Sequence, residues 1–370
     1  VSTWGRVLGT ASITAGVLGA AALGGITAQR RAVRRLHGSA AGDADPQQAY
    51  GALVADRTYS VVAEDGVALH VEEAGPADAP ITMVFAHGWT LRSGAWHYQR
   101  LGLAGPGFGT GDGPTPRMVF YDQRSHGRSS RAAPGRSTLD ALAGDLAAVI
   151  ATAAPEGPLV LVGHSMGGMA LIALAGRQPE LFADRVVGVG LVSTAAQRFG
   201  IPGLGNTLLA GTTSPLLRLL SLTAGRYTSL IERGRAGTHD AVWLLTRTLG
   251  FARTDVPAAV VDYLDEMISG TPVDVIADFA PALVMMDEAD SLPALAGIPT
   301  VIVCGDSDRM TPAVRSEFLA HALPDAELVI IAKAGHMATL EAPEEVNAAL
   351  RRMCVRAVTY AERTHRPVSA

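Results

Sequence analysis

Residues 163–168 read Gly-His-Ser-Met-Gly-Gly and stand directly between an apolar run at 159–162 and a stretch of helical composition that continues to residue 175. A strand that passes into a helix through so few residues leaves little room for Cβ atoms where the chain doubles back, and small residues at 163 and 167 answer that need. The constraint on the fold follows from the turn. A strand feeding a helix, followed by another apolar run at 186–192, is a crossover unit, and crossover units build parallel sheets. Further runs at 81–85, 117–121, 298–304 and 327–331 alternate with helical stretches such as 139–151. The segment 59–63, Asp65-Gly66, 67–71 reads as a β-hairpin that turns at Asp-Gly. The predicted fold class is α/β: a mostly parallel twisted sheet with helices on both faces.

Between the runs at 186–192 and 298–304 the pattern changes. Residues 196–291 lack strand-like runs, and 206–222, 239–251, 256–269 and 273–286 each read as helix. This predicts an inserted helical cap over 196–291, dividing a core into a first part at 57–195 and a second at 292–362. A chain of 370 residues has room for one such domain with its insertion, and 48% hydrophobic against 18% charged residues is ordinary for a globular enzyme. The Gly/Pro-rich stretch 102–116 lacks the Gly-Lys-Ser/Thr of a phosphate loop and reads as a surface loop. With a net charge of -5 and no long basic run past the N-terminal segment, no nucleic-acid partner is expected. Cys304 and Cys354 are expected to be two buried thiols rather than a disulfide. The oligomeric state is left open.

The first fifty residues have a character of their own. Residues 7–28 carry no charge over a length that would cross a hydrocarbon core, although Gly, Ala, Ser and Thr outnumber the large aliphatics. Arg30, Arg31, Arg34 and Arg35 follow, with only Arg6 before. That asymmetry predicts a membrane anchor helix over 1–36 with the rest of the chain on the cytoplasmic side, and is the reverse of a cleavable export signal. The alternatives are export, or a helix lying on the protein surface. Residues 37–56 read as a linker.

Chemistry enters with Ser165. A serine hydroxyl is a poor nucleophile until a base takes its proton, and His336, in a loop after the run at 327–331, is the best-placed of ten histidines. His126 is a weaker candidate for the base, and His164, beside the serine, is expected to pack. An acid must then fix the tautomer of the base. Asp306 and Asp308, in Gly-Asp-Ser-Asp-Arg-Met-Thr-Pro at 305–312, are both candidates. Asp308 is preferred because the later position clears the strand end, leaving Asp306 to brace the loop. An oxyanion needs two backbone N–H donors. Met166, just after the serine, and Trp89, just after His87-Gly88, are the expected pair, with His87 as scaffold. No metal or cofactor site is expected.

Together His-Gly-Trp (87–89), Asp-x-Arg-x-x-Gly-x-Ser (122–129), Gly-His-Ser-Met-Gly-Gly (163–168), Gly-Asp-Ser-Asp-Arg-Met-Thr-Pro (305–312) and Ala-Gly-His-Met (334–337) resemble the α/β-hydrolase superfamily over residues 57–355. The resemblance is to the branch of monoacylglycerol lipases, serine esterases and cofactor-free haloperoxidases. It implies the α/β-hydrolase fold, an acyl-serine intermediate, a helical lid and no cofactor. Ser125, where many members have glycine, is a departure that touches a turn. Serine at 165 argues against epoxide hydrolases and haloalkane dehalogenases, which use aspartate there. The cap offers Leu216, Leu217, Leu219, Leu220, Trp243, Leu244, Leu245, Met267, Met285 and Met286, some packing the cap and others lining an acyl pocket. The expected substrate is a lipophilic, acylglycerol-like carboxylic ester. Competing readings are thioesterase, lactonase, C–C hydrolase or perhydrolase activity, and a ligand-binding protein without catalysis.

Overall fold

The computed structural model describes residues 50–104, 115–198 and 239–364. Each of the eight strand-like runs forms a strand of one sheet: β1 Arg57–Val62, β2 Ala68–Ala74, β3 Thr82–Ala86, β4 Arg117–Tyr121, β5 Leu159–His164, β6 Val186–Val192, β7 Thr300–Gly305 and β8 Glu327–Ile331. Their spatial order is β1-β2-β4-β3-β5-β6-β7-β8. The β1–β2 and β2–β4 pairings are antiparallel, and every other neighbour is parallel. Gly66, at φ 87°, closes the hairpin, with Ala63 N–H donating to Val67 O at 2.8 Å. β5 runs two residues further than its apolar run suggests. Gly163 and His164 pair with Leu191 and Val192, so main-chain pairing and not side-chain hydrophobicity sets the strand end.

Helices α1 His97–Gly102, α2 Leu139–Ala153, α3 Met166–Arg177, α4 Pro179–Asp184, α5 His239–Gly250, α6 Ala258–Gly270, α7 Val273–Met285, α8 Ala313–Ala322, α9 Ala338–Glu341 and α10 Pro343–Arg363, with short 3₁₀ helices at Ser93–Trp96 and Ala289–Leu295, complete the described elements. The central strands are buried along their whole length, as a sheet covered on both faces must be. Alternate residues enter opposite cores. Val84 and Leu161 meet Leu142, Leu146 and Val149 of α2 and Leu171 of α3. Met83, Phe85, Val160 and Val162 meet Trp96 and, from α10, Leu350, Met353 and Ala357. α2 starts where Thr138, in extended conformation, accepts the Ala141 N–H at 3.1 Å. Cys304 and Cys354 are both free and buried.

Among the described residues three α-helices, α5 to α7, lie between β6 and β7. They begin close to expectation, but α6 starts at Ala258 rather than 256 because Pro257 occupies its N-cap. The expected helix at 206–222, Leu216 to Leu220 with it, and most of the loop 102–116 lie outside the described residues. So does the expected anchor at 1–36. Among the described residues no single helix is long and apolar enough to cross a membrane.

One buried ion pair fixes the turn after β4. Arg124 meets Asp145 of α2 through Nε (2.6 Å) and Nη2 (2.7 Å), both side chains almost wholly buried, and reaches Asp65 at 2.8 Å. Removing one partner of a buried pair strands the other charge. Asp145→Ala should lower the unfolding free energy by about 3–5 kcal/mol. Asp65→Ala, whose carboxylate is partly solvated, should cost about 1 kcal/mol. Urea denaturation of the two variants checks the difference; equal losses would contradict it.

Candidate active site

Ser165 joins β5 to α3 at φ 51° and ψ −119°, a region that L-residues seldom occupy. Its N–H donates to Val192 O at 3.0 Å, and its carbonyl accepts from Gly168 N–H (2.9 Å), Met169 N–H (3.1 Å) and the Thr194 hydroxyl (2.7 Å). Two glycines make the turn possible. A Cβ on Gly163 would stand 2.5 Å from the N and Cα of Gly168. One on Gly167 would overlap the carbonyl oxygen of Ala86 at the end of β3. Both obstacles are main chain and cannot swing aside.

Asp308 and His336 lie in the loops after β7 and β8. His336 Nδ1–H donates to Asp308 Oδ2 at 2.9 Å, with Oδ1 at 3.2 Å. The same carboxylate accepts from the N–H groups of Met310 (2.8 Å) and Thr311 (2.9 Å) and from the Thr311 hydroxyl (2.8 Å). Burial alone would raise the Asp308 pKa, but the His336 charge and these donors outweigh it and hold the pKa below the usual carboxylate value. Asp306 is exposed, accepts from Ser307 Oγ–H and Lys333 N–H at 2.8 Å each, and does not reach His336. Of the two candidates the geometry brings Asp308 to the imidazole and leaves Asp306 bracing the loop.

The loop after β3 carries Trp89 past the same point. Thr90 holds φ 63°, and its N–H donates to His126 Nε2 at 3.1 Å while His126 Nδ1–H donates to Arg124 O at 2.9 Å. His87 works alike: its Nδ1–H donates to Gly88 O at 2.8 Å, and its Nε2 accepts from Gln123 N–H at 2.9 Å. Asp122 accepts from Ser93 N–H (2.7 Å) and Arg128 N–H (2.8 Å), tying that loop to the turn after β4. His87 and His126 are therefore scaffold, and neither opens on Ser165. Ser125 adopts φ 64°, as glycine would, and its hydroxyl accepts the Ala132 N–H at 3.0 Å.

Two side chains go beyond the sequence reading. His164 does not merely pack: its Nε2–H donates to the main-chain carbonyl of His336 at 3.1 Å, and it lines the same cavity. Glu341, buried at the end of α9, accepts from Gly335 N–H and from the N–H groups of Ala252 (2.7 Å) and Arg253. It thereby pins the His336 loop to the chain after α5. Both side chains bond main-chain groups remote in sequence, and no motif announces them.

Ser165 and His336 open on one cavity of about 390 Å³. Its wall comes from Trp89, Thr90 and Leu91, from Met310, Thr311 and Met337, and from Leu245, Leu249, Leu264, Ile268, Ile276 and Leu283 on α5–α7. Of the cap residues named from sequence that lie among the described residues, only Leu245 is one of them; Trp243, Met267 and Met286 are buried in cores. A second cavity of about 290 Å³, across Leu91, contains Arg92 and Arg100, which are paired with Glu266 and Glu72. It contributes nothing to the Ser165 centre. Hydroxyl, imidazole and buried carboxylate in this order can pass a proton from serine to histidine and hold the resulting imidazolium. Met166 opens α3 directly after Ser165, and Trp89, in the loop after β3, lines the same cavity.

The buried imidazoles set a pH dependence. Burial, then the neighbouring His336, pushes His164 down to about 3, and burial, then His87, does the same to His126. The unfolded chain binds protons from about pH 6.5 downward that these native side chains refuse. Their contribution is intact above about pH 6.5 and is lost as pH falls toward 3, by up to about 1.4 kcal/mol per pH unit for each group. The urea midpoint should fall steeply between pH 7 and pH 4, and less steeply in His126→Gln. An unchanged slope in that variant would contradict the assignment.

Comparison with known proteins bears on the family and the fold. A model described as the alpha/beta hydrolase family matches residues 83–349. A bifunctional esterase/perhydrolase of Acinetobacter calcoaceticus is 38% identical over 120 residues, 32% of this chain and only 40% of that protein. The AB hydrolase superfamily protein YisY of Bacillus subtilis is 28% identical over 292 residues, 78% of this chain and 96% of its own. Among solved structures, a thermophilic esterase from Thermogutta terrifontis superposes with a TM-score of 0.63 at 24% identity, covering 81% of this chain and 99% of that one, a likeness of fold alone. With a match running from β3 into α10, the chain belongs to the alpha/beta hydrolase family.

Proposed function

We propose that the chain is a serine esterase acting on an apolar carboxylic ester. The observation that carries this reading is the cavity beside Ser165 and His336, where no Asp, Glu, Lys or Arg stands among the lining residues described. An acyl chain gains by leaving water there, whereas a charged one would be desolvated without a partner.

In this reading His336 Nε2 takes the Ser165 proton as Oγ attacks the ester carbonyl carbon. The carbonyl electron pair moves onto oxygen, and the Met166 and Trp89 N–H groups stabilise that charge. Collapse breaks the bond to the alcohol oxygen, which leaves with the proton held by His336. Water, deprotonated by the same imidazole, then releases the acid from the acyl-serine. Asp308 keeps the imidazole in the right tautomer throughout. No cofactor is invoked. Similarity to the bifunctional esterase/perhydrolase of Acinetobacter calcoaceticus supports a second reading, in which hydrogen peroxide replaces water and the product is a peracid.

The proposal extends to location. The uncharged stretch 7–28 followed by four arginines supports an anchor that would hold the catalytic body beside a membrane, where lipophilic esters collect. A chain lacking residues 1–36 should then leave the membrane fraction, and unchanged membrane association would place the binding elsewhere.

Ser165→Ala should lose about a million-fold in turnover of p-nitrophenyl esters, together with all labelling by a fluorophosphonate probe. Asp308→Asn should lose about ten-thousand-fold, and Asp306→Asn less than about tenfold, through loop stability alone. Greater damage from Asp306→Asn would reverse the assignment of the acid. A chain-length series should favour acyl groups above butyryl; a flat or declining profile would argue against an apolar acyl group.

A further inference from the structure

We infer that His164 is a positioning residue: its Nε2–H holds the main-chain carbonyl of His336 and so sets the imidazole against the neighbouring serine. The inference rests on the reading of Ser165 as nucleophile and His336 as base.

The two ends of His336 are tied to different parts of the fold. Its ring is held by Asp308 at 2.9 Å, in the loop after β7. Its carbonyl is held at 3.1 Å by His164, the last residue of β5, directly before Ser165. The residues on either side are tied elsewhere. Gly335 N–H donates to Glu341, and Met337 N–H donates to Gly250 O at 2.8 Å, on the chain at the end of α5. His164 thus supplies the hydrogen bond that runs from the base to the strand bearing the nucleophile. The strand is itself fixed there, because His164 pairs with Val192 in the sheet.

The side chain suits that task and little else. It is buried, its ring centroid lies 5.0 Å from that of His336, and Trp96 meets it edge-on at 6.3 Å. Among the described residues Nδ1 has no hydrogen-bond partner, and it abuts Gly88, where an added Cβ would lie 2.8 Å away. An unpartnered buried acceptor is unfavourable, and an apolar ring of similar size would fill the space without it. Packing alone would be served as well by phenylalanine, whereas a donor at Nε2 would not. Burial and the adjacent His336 also keep the ring neutral, so a single N–H is available and it is spent on the carbonyl.

The discriminating experiment compares His164→Phe, which keeps bulk and loses the donor, with His164→Gln, whose amide N–H₂ is the same number of bonds from Cα. Steady-state hydrolysis of a p-nitrophenyl ester is read on the full chain, below the melting temperature of both variants. For His164→Phe, kcat should fall about 10–100-fold with KM within about twofold, as expected for a misplaced base. His164→Gln should recover most of that loss. Equal kcat in His164→Phe and the parent, or equal damage in both variants, would overturn the inference. Ser165→Ala separates the two levels of the claim. Turnover surviving in that variant would overturn the nucleophile assignment itself, whereas an inactive Ser165→Ala beside a fully active His164→Phe would overturn the role of His164 alone.

Discussion

Ser165 holds φ 51° and ψ −119°, and the rest of the site is arranged around keeping it there. A backbone in so sparsely populated a region costs about 1–3 kcal/mol and persists only where neighbours over-determine it. Here the neighbours are main chain: β6 accepts the Ser165 N–H, the first turn of α3 returns to its carbonyl, and glycines at 163 and 167 let the strands close in. The same closeness has a second effect. With no side chain at 167, the end of β3 reaches the start of α3, and this carries the Trp89 loop to the serine. The strained turn and the loop beside it are one packing solution.

Around that turn, polar groups are used as rigid struts. His87 and His126 each give Nδ1–H to a nearby carbonyl and accept a main-chain N–H at Nε2. Each bond fixes the tautomer that the other requires. Protonation would destroy the acceptor end, so the arrangement exists only for neutral rings, and deep burial is what keeps them neutral. Asp308 shows the opposite case. It is buried but surrounded by donors, so the charged form is the one that fits. Neutral imidazoles and a saturated carboxylate lie within one shell because each is matched to its own donors.

Much of this was legible in the sequence. The strands were, because continuous apolar runs ended by Gly, Pro or Asp have few other solutions in a covered parallel sheet. Ends were less so: β5 extends through Gly163 and His164 on pairing alone, and α6 waits for Pro257. At the site, residue types and motif spacing singled out Ser165 and His336, but Asp306 and Asp308 both satisfied the spacing. Clearance of the strand end favoured Asp308, and the loop conformation, with Met310 and Thr311 folded back onto it, brings it to His336 while Asp306 stays exposed. The contacts of His164 and Glu341 were not legible at all. Their partners are main-chain groups 172 residues away for one and up to 89 residues away for the other, and main-chain groups carry no residue-specific signal.

Those two contacts also connect the parts of the site that the motifs leave separate. Much of the apolar wall of the cavity stands on α5–α7, while Trp89, Ser165, Asp308 and His336 follow the ends of β3, β5, β7 and β8. Glu341 clamps the chain after α5 to the residue preceding His336, and Gly250 O takes the N–H of the residue following it. His336 is thereby tied to the helices that line the cavity, and through His164 to the strand that leads into Ser165. The helical part of the wall and the His336 loop are thus joined by hydrogen bonds, although no residue that α5–α7 give the wall belongs to one of the sequence motifs.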